Sequence, residues 1–170
     1  MIRFLFAAIW GSLWMILEAL FRSAGLFLPL TAFAVFYFSC TYGLKNGLIA
    51  AAVFGILLDG IYGQISLLSP VLLMTAVPFA LLFRKNITNY SALLLPAVGG
   101  LLAIFIAPLH ILNHSSIPAL VALAPHLFIS VLFSVLLLPA LTTLSDQVCA
   151  PLALTRFAEI LHRGTDVEME

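Results

Sequence analysis

Charge is what this 170-residue chain has least of. Charged residues make up 8% of it and hydrophobic residues 64%, whereas a soluble domain carries about 25% charged residues. So little polar surface cannot cover a soluble core of this length, which excludes an ordinary water-soluble globule. A net charge of one sign is also missing, with Lys+Arg and Asp+Glu both at 7. No basic field and no basic patch with interleaved aromatics is present, so no nucleic-acid partner is expected. Cysteine is scarce. Cys40 and Cys149 stand far apart without CxxC spacing and read as reduced packing residues rather than a disulfide framework. Catalytic signatures are absent as well: there is no GxSxG, Walker loop, HExxH or recognisable Ser–Lys or Cys–His set. The chain reads as a non-enzyme without a cofactor.

What the chain does have is long apolar runs. A spanning helix needs about 20 apolar residues. Breaks at charges, Gly, Pro and small polar clusters place six spans, at 3–21, 26–42, 46–62, 66–83, 91–112 and 118–141. The first run exceeds the roughly 7–15 residues of a signal-peptide core and reads as a retained span. Spans 3 and 4 meet at Gly63 and Gln64, tightly enough to force an antiparallel hairpin. With six spans, Arg3, Lys45, Arg84, Lys85, Arg156 and Arg163 share one side, and Arg22 alone lies on the other. By the positive-inside rule that side is cytoplasmic. The expected fold is an all-α membrane protein, a bundle of six transmembrane helices with both termini inside. Pro29, Pro70, Pro78, Pro96, Pro108, Pro125 and Pro139 fall in the spans and predict bent helices.

The spanning domain is expected over 1–141 and a cytoplasmic tail over 142–170. Within the tail, PLALTRFAEILHR (151–163) has helical periodicity. Leu154, Phe157, Ile160 and Leu161 form one face, and Arg156, Glu159 and Arg163 the other. Pro151 suits the first turn and Gly164 the end. A short interfacial helix follows, lying on the membrane or docked on a partner.

One stretch stands out from the apolar background: GILLDGIYG, residues 55–63. It closes a ladder of small residues at spacings of four, Gly43, Gly47, Ala51, Gly55 and Gly63, with Asp59 on the remaining rung. Four residues advance a helix by about 400°, so such rungs stay on one face and drift by about 40° per step. Small-xxx-small faces let helix backbones approach closely. The ladder is therefore a helix-packing face and makes span 3 the expected packing spine. Asp59 lies on that face about one turn before the Gly63 connection. Three roles are open to it: bracing the 63–66 loop through backbone N–H groups, pairing with a side chain, or binding a ligand or ion. The structural role leads.

Glu18 and Arg22 stand four apart near the end of span 1 and predict an i,i+4 ion pair. His110 and His114 are also four apart, with His126 in span 6. Two such histidines can share a zinc ion, but a site needs a third ligand. Interfacial hydrogen bonding is the expected role.

The stretch GLKNGLIAAAVFGILLDGIYGQISLLSP (43–70) resembles the rod shape-determining MreD family, whose third span ends in a Gly–Leu–Leu–Asp-like element followed by a glycine turn. Here the matching residues are Gly55, Leu57, Leu58, Asp59 and Gly63. The resemblance implies a multi-pass protein of the bacterial inner membrane, a non-catalytic scaffold of the cell-elongation complex. Its implied partners are an MreC-like bitopic protein, an MreB-like filament and the peptidoglycan synthases. The long tail departs from the family pattern. That family's fold in turn looks like the substrate-binding subunits of energy-coupling-factor vitamin transporters, which supplies the alternative reading. A vitamin pocket would draw on Asp59, Tyr62, Gln64, His110, Asn113 and His114.

Overall fold

The computed structural model describes residues 2–63, 68–85, 91–112, 120–152, 154 and 157–159. Among these, all regular structure is helical. The helices are α1 (Ile2–Ser23), α2 (Leu30–Tyr42), α3 (Leu44–Ile61), α4 (Leu68–Met74), α5 (Ala76–Lys85), α6 (Ser91–Leu112) and α7 (Leu120–Cys149), followed by a 3₁₀ turn, Ala150–Leu152. Among the described residues three stretches are long and apolar enough to cross a membrane: Leu5–Ser23, Leu44–Ile61 and Leu127–Leu152. Leu30–Tyr42, Leu68–Arg84 and Leu94–Ile106 are shorter apolar helices.

The spine of the fold is α2, not α3. Every residue from Leu30 to Cys40 is buried, as expected of a helix that is apolar all round. Phe36 meets Phe83 of α5 edge-on at 5.6 Å between centroids, and Phe38 lies against Phe6 of α1 and Phe54 of α3 at 6.3 and 6.5 Å. The outer helices face away from the bundle with large apolar side chains at helical spacing. On α1 these are Leu5, Ile9, Leu13, Ile16 and Leu20, and on α3 Ile49, Val53, Ile56 and Leu57. Stripes this long would not stay exposed to water; their natural solvent is lipid.

The ladder on α3 divides into two kinds of residue. Gly43 (φ 90°) and Gly63 (φ 64°) are hinges in the left-handed region, and an added Cβ at either would meet nothing within 4 Å. Gly43 alone separates α2 from α3, so the turn expected over 43–45 shrinks to one residue. Its N–H bonds the Ser39 carbonyl at 3.2 Å while its own carbonyl accepts from Gly47 at 3.1 Å. Few other residues adopt that conformation without strain. Gly47 and Gly55 are true contact rungs. A Cβ on Gly47 would overlap Ser39 of α2, and one on Gly55 would overlap the backbone of Pro70 in α4. Ala51, between them, is fully buried. The drift of the ladder explains the change of neighbour. Eight residues rotate the face by about 80°, turning it from α2 to α4. The groove is therefore filled by this chain's own helices.

Two helix boundaries also differ from the expected spans. The fourth breaks at Thr75 into α4 and α5. Pro78 has no N–H for the Met74 carbonyl and its ring crowds that carbonyl, so α4 stops there. The Thr75 N–H and Oγ1–H both turn back to the Leu72 carbonyl, at 3.1 and 2.6 Å. Meanwhile α7 runs on through Thr142, the expected start of the tail, to Cys149. Its small polar residues do not break it. Thr142 and Thr143 donate to the carbonyls of Pro139 and Ala140 at 2.8 and 2.9 Å, satisfying themselves inside the helix. On its other side α7 packs on α6, where a Cβ on Gly99 would overlap the Ser134 carbonyl.

Gly55→Leu tests the close approach of α3 to α4. The side chain has no room beside the Pro70 backbone, so destabilisation of at least about 1–3 kcal/mol is expected from overpacking. A lower thermal midpoint of the detergent-solubilised protein checks it. The same change at Gly60, where an added Cβ meets nothing within 4 Å, should leave the midpoint unmoved.

Candidate functional site

The first N–H groups of a helix have no partner within it, and burying them unpaired costs about 1–3 kcal/mol each. Three acids lie within α1–α7: Glu18, Asp59 and Asp146. Each accepts a backbone N–H at the start of another helical segment.

Glu18, in α1, is 7% exposed. Its Oε2 accepts the Thr31 N–H at 2.8 Å. The N-cap of α2 is Pro29, which makes no side-chain cap of its own, so the cap arrives from the neighbouring helix. The Arg22 charge still acts on Glu18, but the hydrogen bond goes to Thr31. The Arg22 guanidinium lies over the Tyr62 ring, 3.9 Å from its centroid, and 5.4 Å from that of Phe27. These cation–π contacts tie the end of α1 to the end of α3.

Asp59 is 3% exposed. Its Oδ1 accepts the Ser69 N–H in the first turn of α4, at 3.3 Å. Its Oδ2 and the Ser69 hydroxyl have no hydrogen-bond partner among the described residues. Of the three roles open to Asp59, the geometry displays bracing, with the donor beyond the 63–66 loop. Gly55 lies one turn before Asp59 on the same face and touches Pro70, the residue after Ser69. Side-chain acceptor and backbone contact thus form a two-point clasp between α3 and α4.

Asp146 was not legible as a site, because it falls in what reads as the start of a polar tail. In the structure it sits in the last turn of α7 and gathers three donors. The Tyr37 hydroxyl and the Phe157 N–H reach Oδ1 at 2.8 and 2.7 Å, and the Ala158 N–H reaches Oδ2 at 2.9 Å. Phe157 and Ala158 are thereby folded back onto the bundle. Phe157 is 3% exposed. Its ring centroid lies 5.6 Å from Phe83, 6.2 Å from Tyr37 and 6.4 Å from Phe36. Leu154 is also buried, after a reversal in which its N–H bonds the Cys149 carbonyl at 3.3 Å. The apolar face expected for the tail is therefore real at Leu154 and Phe157, but it docks on the chain's own bundle rather than on a membrane surface or a partner. The only sequence signal was that Asp146 is the sole acid between Asp59 and Glu159.

The same end is tied twice more. The Trp10 indole N–H donates to Ser145 Oγ at 2.7 Å, and the Tyr37 hydroxyl lies 3.4 Å from Cys149 Sγ. Cys40 and Cys149 are both free thiols and buried. At the opposite end the Ser130 hydroxyl donates to the Phe27 carbonyl. Gln64, Asn113 and His114, and the side chains of His110 and His126, lie outside the described residues. Among the described residues no three His, Cys, Asp or Glu side chains come together to hold a metal.

Two substitutions separate these caps. Asp59→Asn keeps an acceptor and should leave the thermal midpoint nearly unchanged, whereas Asp59→Ala should cost about 0.5–2 kcal/mol, the usual loss of a cap. For Asp146→Ala, hydrogen bonds to a charged group are worth about 1.5–3 kcal/mol each. Chymotryptic cleavage at Phe157 should therefore accelerate at least roughly tenfold, since proteolysis follows the open population. No family model, curated protein or solved structure matches the chain.

Proposed function

We propose that this protein is a non-catalytic, multi-pass membrane scaffold of the bacterial cell-elongation complex, of the MreD type. The observation that carries the reading is the clasp between α3 and α4. Within the stretch 43–70, which bears the resemblance, the unusual residues among those described serve the packing of neighbouring helices. Gly55 admits Pro70, Asp59 caps α4 through Ser69, and Gly43 and Gly63 turn the chain. A motif of that kind specifies a shape, not a reaction.

Six passes with both termini inside belong to the same proposal. Contacts across the bundle support it. Phe6 with Phe38, Trp10 with Ser145 and Tyr37 with Asp146 join residues at one end. Glu18 with Thr31, Asp59 with Ser69 and Ser130 with Phe27 join residues at the other. The first end also holds Lys45, at the start of α3, and Arg84, at the end of α5. Basic residues gather on the cytoplasmic side of inner-membrane proteins.

A vitamin-binding transporter subunit is the competing reading. Two of its candidate pocket residues already have neighbours: Asp59 holds Ser69, and Tyr62 lies under Arg22. The test is purification from native membranes in mild detergent with mass spectrometry of everything retained. An MreC-like bitopic protein, an MreB-like filament protein or cell-wall synthases should come along. Paired ATPases with a transmembrane coupling subunit, or a stoichiometric vitamin, would replace this reading with the transporter one.

A further inference from the structure

The Gly11–Phe54 contact, where a Cβ on Gly11 would overlap the Phe54 ring, brings α1 and α3 together. From there toward the start of α3 the two helices leave a cleft of ≈ 290 Å³ over α2. Ala7 and Ala8 form one wall, Ala50 and Val53 the other, Phe38 lies beneath, and Asn46 lines the end nearest the start of α3. The alanines are what keep the space; a larger side chain at any of them would fill it. Lys45 is exposed. It precedes Ile49, another wall residue, by one helical turn, so it stands on the same face of α3 at the mouth. The acids of α1 and α3, Glu18 and Asp59, lie at the far end, and Asp146 is engaged by the tail.

We propose that this cleft is a phospholipid site, which takes one acyl chain between α1 and α3 and an anionic headgroup at Lys45 and Asn46. Size argues for a chain rather than a helix. A helix with its side chains is about 10–12 Å across, whereas this volume falls just below the roughly 300 Å³ at which small-molecule pockets begin. Charge argues for the anionic class. Lys45 supplies a cation with no acid of α1 or α3 nearby. The Asn46 amide donates one N–H to the Tyr42 carbonyl at 2.7 Å and retains a second for a phosphate oxygen. The long stem of a lysine can lie along the apolar wall while its ammonium reaches the headgroup layer. This proposal rests only on the chain lying in a membrane, and not on which assembly it serves.

Native mass spectrometry of the full chain tests it, with phosphatidylglycerol and phosphatidylcholine of identical acyl chains added in detergent. The wild type should retain one phosphatidylglycerol, preferred over phosphatidylcholine by roughly fivefold, the factor expected for one lysine near a membrane surface. Lys45→Gln should abolish the preference while both lipids still bind, and Lys45→Arg should keep it. Ala8→Phe, at an exposed position of the wall, should reduce retention of both lipids without lowering the thermal midpoint. Millimolar inorganic phosphate should not displace the lipid. Equal retention of the two lipids by the wild type, a preference that survives Lys45→Gln, undiminished retention in a folded Ala8→Phe protein, or displacement by phosphate alone would each overturn the proposal.

Discussion

Backbone N–H groups at the start of a buried helix must find acceptors, and no solvent inside an apolar bundle supplies them. Most of this architecture follows from how the chain meets that requirement. Its three helical carboxylates each reach out of their own helix to the first turn of another: Glu18 to α2, Asp59 to α4 and Asp146 to the tail. Proline answers the same need from the other side by removing a donor. Pro29 stands at the cap of α2, Pro70 in the first turn of α4, and Pro78 in the first turn of α5. Residues that look like intrusions in a hydrophobic chain are the points where one helix fixes the start of another.

Packing then works within positions those caps have set. Glu18 and Asp59 fix helix starts at one end of the bundle, and α2 fills the centre with consecutive buried side chains. Where backbones come closest, a side chain is missing: Gly47 against Ser39, Gly55 against Pro70, Gly99 against Ser134. In lipid the hydrophobic effect does not drive helices together, so close van der Waals contact carries more of the association. That is why glycines stand at the closest approaches of α3 and α6.

The Asp146 end links this framework to the aqueous side of the protein. One carboxylate collects a tyrosine hydroxyl of α2 and two amides of the tail, and Phe157 enters a box of three aromatic rings from α2 and α5. Leu154 and Phe157 of the tail are thus part of the bundle's packing. The apolar stripes of α1 and α3 offer lipid a continuous flank.

The sequence by itself determined the apolar solvent and the helical class, but not every helix boundary. Too few charges for water, runs of spanning length and the Gly63 connection are local properties, legible residue by residue. The small-residue face of α3 and the apolar face at Leu154 and Phe157 were legible for the same reason. What covers those faces was decided only by the tertiary structure, as were the burial of α2 and the roles of Gly11 and Asp146. In a soluble protein, polarity marks which side of a helix faces the core. In lipid the core side and the solvent side are equally apolar, so that mark is erased. Partner choice falls instead to shape and to a few long-range hydrogen bonds, such as Trp10 to Ser145 and Tyr37 to Asp146, between residues more than a hundred positions apart. No local pattern can announce a contact of that kind.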